Sequence, residues 1–461
     1  MYRQGLGDCF LISVLQPPKQ DFHLMIDCGV ILGTRDACAK LQAVIADIIK
    51  TTDGKVDVLA VTHEHYDHVA GFVLADDLFA APGDRADPKK LAVEEVWFAW
   101  TEDPKDKLAR KLRKSRADKI AALSAMVQRM NSIGATDRLP EAVDSLRFFG
   151  IGSNGKKVGD TAQAMINAKG FASKVSYRTP GEKIDLPKAP AITFYVLGPP
   201  KDEKSLKKTD STTEVYHLGL ESLSTAVMAA AGFDPDGSGN DPYPPFDRAY
   251  ARQLDRIRRG EGDDQGAVFI RDMYIGPPKP TPETDVSWRQ IEDDWLGGAE
   301  TLGLALDSAT NNTSLVLAIE VRASKQVLLF SADAQVGNWL SWQDVQWDHV
   351  TTADLLKRTV FYKVGHHGSH NATLKQHGLE MMTNLGVAFI PVDHEMAVLK
   401  RWGKMPLEGL VAALKEHCGD MVIRVDKKPA AGLKGIAIGA DGPSLPSGAF
   451  GPLYYDWTLP L

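Results

Sequence analysis

Residues 62–68 read Thr-His-Glu-His-Tyr-Asp-His and directly follow the apolar run Val56 to Val61. A run of that kind reads as a buried strand, so the histidines stand at a strand's C-terminal end, where open α/β sheets place their chemistry. His63 and His65 are two apart on an extended loop, point the same way, and can grip one ion. Asp67 and His68 then turn toward a second ion beside the first. Imidazole and carboxylate suit zinc, and also manganese or iron. The chain has only 12 histidines in 461 residues, so three within one short loop are poorly explained as a solvated turn.

Length and an apolar content of 44% allow one large domain with insertions, or two to three domains. A formal net charge of −7 argues against coating nucleic acid by bulk charge, although a local basic groove stays open. The four cysteines (Cys9, Cys28, Cys38 and Cys418) form no C-x-x-C pair, so no disulfide framework is expected. The first residues lack a basic segment followed by an apolar one, and no apolar run is long enough for a bilayer. A cytoplasmic protein without membrane contact is expected.

Gln4 to Val14 is a glycine turn feeding a strand, and His23 to Gly29 is a second strand, together a hairpin at a sheet edge. Asp8 and Asp27 read either as turn caps or as groups behind the metal ligands. Leu41, Val44, Ile45, Ile48 and Ile49 mark an amphipathic helix, and Val93 to Trp100 a further strand. The order implies a layered α/β fold. Lys105 to Lys119 opens a long helix whose Lys and Arg residues make either a solvated face or a phosphate-contacting one; Lys201 to Lys208 and Arg252 to Arg259 pose the same choice. After the strand Ala191 to Leu197 come an apolar helix candidate, Leu223 to Ala231, and a turn-rich run, Asp234 to Asp247. Strands resume at Ser314 to Ile319, Gln326 to Phe330 and Thr359 to Val364, followed by a helix from about Leu374 to Asn384, a strand Leu385 to Ile390, a helix after Pro406 and a strand Met421 to Val425. The expected organisation is a core in pieces, 1–100, 191–200 and 309–430, with a basic helical insertion at 101–190, an irregular insertion at 201–308 and a tail at 431–461 packed on the core. The insertions are expected to form a lid or groove over the metals.

Asp333, and the cluster His366-His367-Gly368-Ser369-His370, also follow apolar strands. Three strand ends with metal-type ligands point to a binuclear centre in which Asp333 bridges two cations and a histidine of the later cluster closes the second site.

These stretches resemble the metallo-β-lactamase-fold hydrolases, most closely the nuclease-like domain of ComEC-type DNA-uptake proteins. The resemblance rests on Gly5 to Asp8, Met25 to Gly29, His63 to His68, Asn311 to Leu317, Ser331 to Ala334 and Lys363 to Ser369, and covers about half of the chain. It implies a four-layer αββα fold with large insertions and two divalent ions, zinc or manganese. His63, His65 and Asp333 would bind the first ion; Asp67, His68, Asp333 and His367 the second. His367 is favoured over His366 because the family's last ligand stands just before a glycine. His366 would then lie beside the substrate phosphate as a proton donor, with Lys363, Ser369 and His370 near it and Asp8 and Asp27 behind the ligands.

One departure stands out. Many members of the family supply another histidine to the first ion, and this chain has Gly198 at the place that aligns. Either His217 reaches in or the first ion keeps an extra water. The expected activity is hydrolysis of a phosphodiester, DNA or RNA included, by a hydroxide held between the ions, whose pKa metal binding lowers to about 7. Asp67 would also orient that nucleophile. Two rivals stand beside it: a hydrolase of small esters, lactones or amides on the same site, and a metal-binding regulatory protein without turnover.

Overall fold

The computed structural model describes the chain except residues 85–86, 133–138, 209–253, 262–263, 278, 280, 282, 287–288, 290–293, 401, 403–404 and 460–461. His217, Leu223 to Ala231 and Asp234 to Asp247 therefore lie outside the described residues. The chain is a mixed α/β protein organised on two large sheets.

The first sheet has the order β1 (Phe10–Val14), β2 (Phe22–Ile26), β3 (Lys55–Val61), β4 (Ala92–Ala99) and β5 (Lys174–Arg178). β1 and β2 form the expected antiparallel edge hairpin, with Phe10 opposite Ile26. The remaining pairs are parallel. β3 is buried along nearly its whole length, which is why it reads as a continuous apolar run rather than an alternating one.

The second sheet runs from β6 (Lys183–Ile184) and β7 (Ile192–Gly198) through β8 (Val316–Val321) and β9 (Val327–Phe330). After a small hairpin, β10 (Gln346–Trp347) with β11 (Val350–Thr351), it continues with β12 (Thr359–Lys363), β13 (Val387–Ile390) and β14 (Val422–Arg424). β9, β12, β13 and β14 are mutually parallel, and β6 to β9 are antiparallel.

One apolar cluster takes side chains from both sheets, among them Phe22, Leu24, Ala60 and Trp97 from the first and Phe194, Ile319, Phe330 and Phe389 from the second. Alternation sends the neighbours of these residues the other way. Met25, Leu59 and Phe98 join Leu41, Val44, Ile45 and Ile48 of helix α1 (Ala37–Thr51). On the second sheet, Tyr195, Ala318 and Leu329 cluster with residues of α4 (Lys107–Ser132), α5 (Pro140–Arg147) and α7 (Asp294–Asn311). Between these helices come α2 (Tyr66–Val69), α3 (Gly71–Leu74) and α6 (Thr161–Gly170).

The stretch 101–190 is helical over much of its length, then adds β5 to one sheet and β6 to the other. In the tail, Ile436–Ile438 pairs with Tyr455–Trp457, and Tyr455 is buried in the cluster shared by the sheets. The helix expected from about Leu374 to Asn384 does not form. The N–H groups of Leu379 and Glu380 reach back five residues, to the carbonyls of Leu374 and Lys375, and only Leu379–Met381 makes a single 3-10 turn.

Candidate metal centre

Strand β3 ends at Val61, the chain runs extended through His65, and α2 starts at Tyr66. Strand end and helical turn together present four side chains within six residues. His63 Nε2 stands 3.2 Å from His65 Nδ1. Asp67 Oδ2 lies 2.8 Å from His367 Nε2, and His68 Nε2 lies 3.1 Å from Asp333 Oδ2. Asp67 Oδ2 to His68 Nε2, and Asp333 Oδ2 to His367 Nε2, are both 3.8 Å. Four ligands about 2.1 Å from one tetrahedral ion are about 3.4 Å apart, and these separations bracket that value.

The donor chemistry fits a cation. Asp67 Oδ1, His68 Nε2 and Asp333 Oδ2 are buried with no hydrogen-bond partner among the described residues, an expensive arrangement at about 1–3 kcal/mol per atom unless an ion occupies it. Asp8, His68, Asp333 and His367, all buried, each bring one ligand atom within 4.8 Å of the others and could hold a metal ion. Asp8 thus comes closer to the centre than the sequence suggested.

The supports are equally built. Asp27, at φ 55°, accepts the Thr62 N–H at 2.8 Å and the Thr62 hydroxyl at 2.7 Å, and faces His68 Nδ1 at 2.8 Å. It therefore stands behind the ligands and orients one of them. His367 Nδ1 donates to Pro391 O at 2.7 Å. His63 Nδ1 faces the hydroxyls of Thr62 at 3.1 Å and Ser314 at 3.4 Å. Gly29 backs the loop: a Cβ there would collide with the Asp67 carbonyl carbon and the His68 nitrogen. At Gly198 a Cβ would collide with Asn338 Oδ1, so a side chain there would have to displace Asn338.

After β12, His366 and His367 both adopt left-handed backbone, at φ 43° and 53°. Two consecutive side-chain-bearing residues there store strain of about 1–2 kcal/mol each, a cost concentrated at functional sites. The turn sends His367 to Asp67 and His366 to Ser369, whose Oγ lies 2.9 Å from His366 Nδ1. His366 Nε2 is buried and without a partner among the described residues. His370 is exposed.

Charge is balanced within the cluster. Burial would lower His68, but Asp333, Asp8, Asp67 and Asp27 hold it well above the usual imidazole range. Burial opposes His367 likewise, and Asp333 and Asp67 raise it. Burial brings His65 down to about 3 and His366 to about 4. His366 is thus neutral near pH 7, because Asp333 and Asp67 do not offset its burial. Lys363 Nζ is 2.6 Å from Asp8 Oδ2, 3.0 Å from Asp333 Oδ1 and 2.8 Å from Ala332 O, so its three donors are taken up by oxygens of the chain and it stands behind the cluster.

Part of the basic face of helix α4 is taken up within the chain. Arg116 joins Glu64 of the metal loop at 2.7 Å and Glu102 at 3.1 Å, Lys111 pairs with Glu203, and Arg113 bonds the carbonyls of Thr101 and Asp103. Three neighbours of the centre were not legible as such. Phe148 and Phe149 lie with ring centroids 5.0 and 4.9 Å from His65. Asp307, on α7, has Oδ1 3.8 Å from His65 Nε2, and burial, with Asp67 and Asp333 nearby, pushes it up to about 8. A lone acid in the apolar stretch Leu302 to Ala309 was its one signal. No protein-family model, curated protein or solved structure matches the chain.

Proposed function

We propose that the chain is a metal-dependent hydrolase of the four-layer αββα metallo-β-lactamase fold, holding two divalent ions, zinc foremost, and cleaving phosphodiesters. The carrying observation is the convergence of two ligand sets. One is the His63–His65 pair, and the other joins Asp67 and His68 to Asp333 and His367 from the second sheet. An apolar layer between two sheets, with helices clustered on both, supports the layered fold.

Divalent ions at these ligands would supply Lewis acidity and bring a water pKa down to about 7. The chain's own residues hold the rest. Asp27 keeps His68 Nδ1 occupied so that Nε2 faces the ions, and Pro391 O does the same for His367. Lys363 keeps Asp333 ionised, with burial overcome by Lys363, His68 and His367. Neutral His366 offers Nε2 to a substrate oxygen.

Hydrolysis of bis(4-nitrophenyl) phosphate by the purified protein with zinc, manganese or chelator tests this. Metal-dependent turnover that Asp67→Ala abolishes is expected; none from a protein carrying two ions refutes it. A small, weakly charged ester is the second reading. It is favoured by the pairing of Lys111 and Arg116 with carboxylates of the chain and by the aromatic wall of Phe148 and Phe149 beside His65, and it predicts turnover of 4-nitrophenyl acetate or a lactone instead.

A further inference from the structure

Three of the four candidate imidazole ligands have their outward nitrogen held. His63 Nδ1 faces the Thr62 and Ser314 hydroxyls, His68 Nδ1 faces Asp27, and His367 Nδ1 donates to Pro391 O. His65 differs. Its Nδ1 faces His63 Nε2, so the nitrogen left outward is Nε2. That atom is completely buried and has no hydrogen-bond partner among the described residues. The carboxylate oxygen near it, Asp307 Oδ1 at 3.8 Å, is buried and equally without a partner.

We infer that Asp307 is a positioning residue of the metal centre: its carboxylate accepts the outer N–H of His65 and holds that ring with Nδ1 turned toward the first ion. The inference rests on the metal-dependent reading above. An imidazole that ligates through Nδ1 carries its proton on Nε2, and ligating histidines give that proton to a carboxylate, carbonyl or water. Two buried atoms that each lack a partner would then satisfy one another by closing less than 1 Å. The carboxylate is already oriented for this. Asn311, one turn along α7 and fully buried, places Nδ2 3.4 Å from Asp307 Oδ2, which leaves Oδ1 toward His65.

The same segment serves both ligands of the pair. α7 ends at Asn311 and the chain passes through Ser314, whose Oγ lies behind His63 and accepts the Asp333 N–H at 3.3 Å. Asp307 backs one imidazole and Ser314 the other. The carboxylate also lies off the nitrogen that faces away from His63, which suits an acceptor of that N–H better than a ligand of an ion held at Nδ1.

The test is zinc titration of the full-length, chelator-stripped protein against a competing chromophoric chelator, for the wild type, Asp307→Ala, Asp307→Leu and Asp307→Asn. The d–d absorption of the cobalt-loaded forms is recorded alongside. Two zinc ions on the wild type are expected. Ala and Leu should each weaken one of the two sites 10- to 100-fold and alter its cobalt spectrum, while Asn, whose amide oxygen still accepts the N–H, stays within a few-fold of wild type. Leu, branched at Cγ like Asp but without an acceptor, keeps the test valid if Ala does not fold. Wild-type affinities in Ala or Leu overturn the inference. Asn as weak as Ala overturns it in favour of Asp307 as a direct ligand. A wild-type protein that takes up no zinc overturns the proposed function itself.

Discussion

Lys363→Met separates two contributions that lie close together in this centre. Lys363 is 1% exposed and its ammonium touches Asp8, Asp333 and the Ala332 carbonyl. Met keeps the length of the stem and removes the charge. Breaking a buried ion pair from one side costs roughly 3–5 kcal/mol, because the other side stays buried and unpaired. Taking ~4 kcal/mol and an unfolding entropy of roughly 2.1 cal/mol/K per residue over 461 residues, Tm should fall by about 4 °C in chelator. With zinc present the loss should shrink, because divalent cations then face Asp333 in place of the ammonium. By linkage the variant should bind zinc more tightly, by up to ~10-fold if about 1.4 kcal/mol of the deficit is recovered. Differential scanning calorimetry with and without zinc reads both quantities. Equal losses in the two conditions, or no loss in chelator, would refute the reasoning, since either means that Lys363 does not carry the charge balance of the metal-free centre.

Three further outcomes follow from single contacts. Gly29→Ala drives a Cβ into the backbone of Asp67 and His68; overpacking of this kind costs about 1–3 kcal/mol or more, and zinc stoichiometry should fall although every ligand is still present. Arg116→Met leaves Glu64 and Glu102 buried beside each other, so urea unfolding should show a loss of roughly 3–5 kcal/mol that Glu64→Gln and Glu102→Gln added together largely restore. Burial pushes Glu95 up, but Lys174, Ser176 and Arg178 hold its carboxyl below the ordinary value of 4.5. Its contribution is therefore fully present above that value and lost as pH falls through the depressed one. Thermal unfolding of Glu95→Gln should be less stable at pH 7 and flatter in acid.

The candidate metal loop stood out because His63, His65, Asp67 and His68 are neighbours in sequence, and local spacing at a strand end translates directly into shared direction. The strand-end positions of Asp333 and His367 were legible for the same reason, and Asp27 nearly so, although the left-handed backbone that aims it at His68 leaves no trace in residue type. Arg116 and Asp307 were not. Each reaches the loop through tertiary packing of a helix well removed from it in sequence, Arg116 lying 52 residues beyond Glu64, and a charged residue on a helix is usually solvated. Arg116 did carry a faint mark: it falls in phase with Ala109, Leu123 and Met130, all buried, so it occupies the inward stripe while Lys107, Arg110 and Lys114 are exposed. The charge run of α4 concealed that phase, since composition reports how many cations a helix bears and not where their partners are. Lys363 was ambiguous in the same way, because a lysine at a strand end has the same sequence appearance whether it faces a ligand or carboxylates of the chain.

A centre assembled from residues as distant as Asp67 and His367 raises the question of whether metal is needed to bring the sheets together. The internal pairings argue that it is not. Lys363 joins Asp8 to Asp333, Asp27 faces His68, and His367 faces Asp67; the surrounding carboxylates raise both imidazoles toward the charged form against burial, so attraction rather than like-charge repulsion prevails in the metal-free centre. The cluster shared by the sheets, with Phe22, Trp97, Phe194 and Phe330 buried in it, uses no ligand residue, and burial at about 1.5–3 kcal/mol per large side chain acts whether or not ions are bound. Chelator should therefore lower the stability by about 4 kcal/mol per site when free zinc had stood ~1,000-fold above Kd, and Tm with it, while the near-ultraviolet circular dichroism at 25 °C stays that of a packed protein. Loss of that signal on chelation alone would mean that the ions, and not the apolar layer, hold the two sheets together.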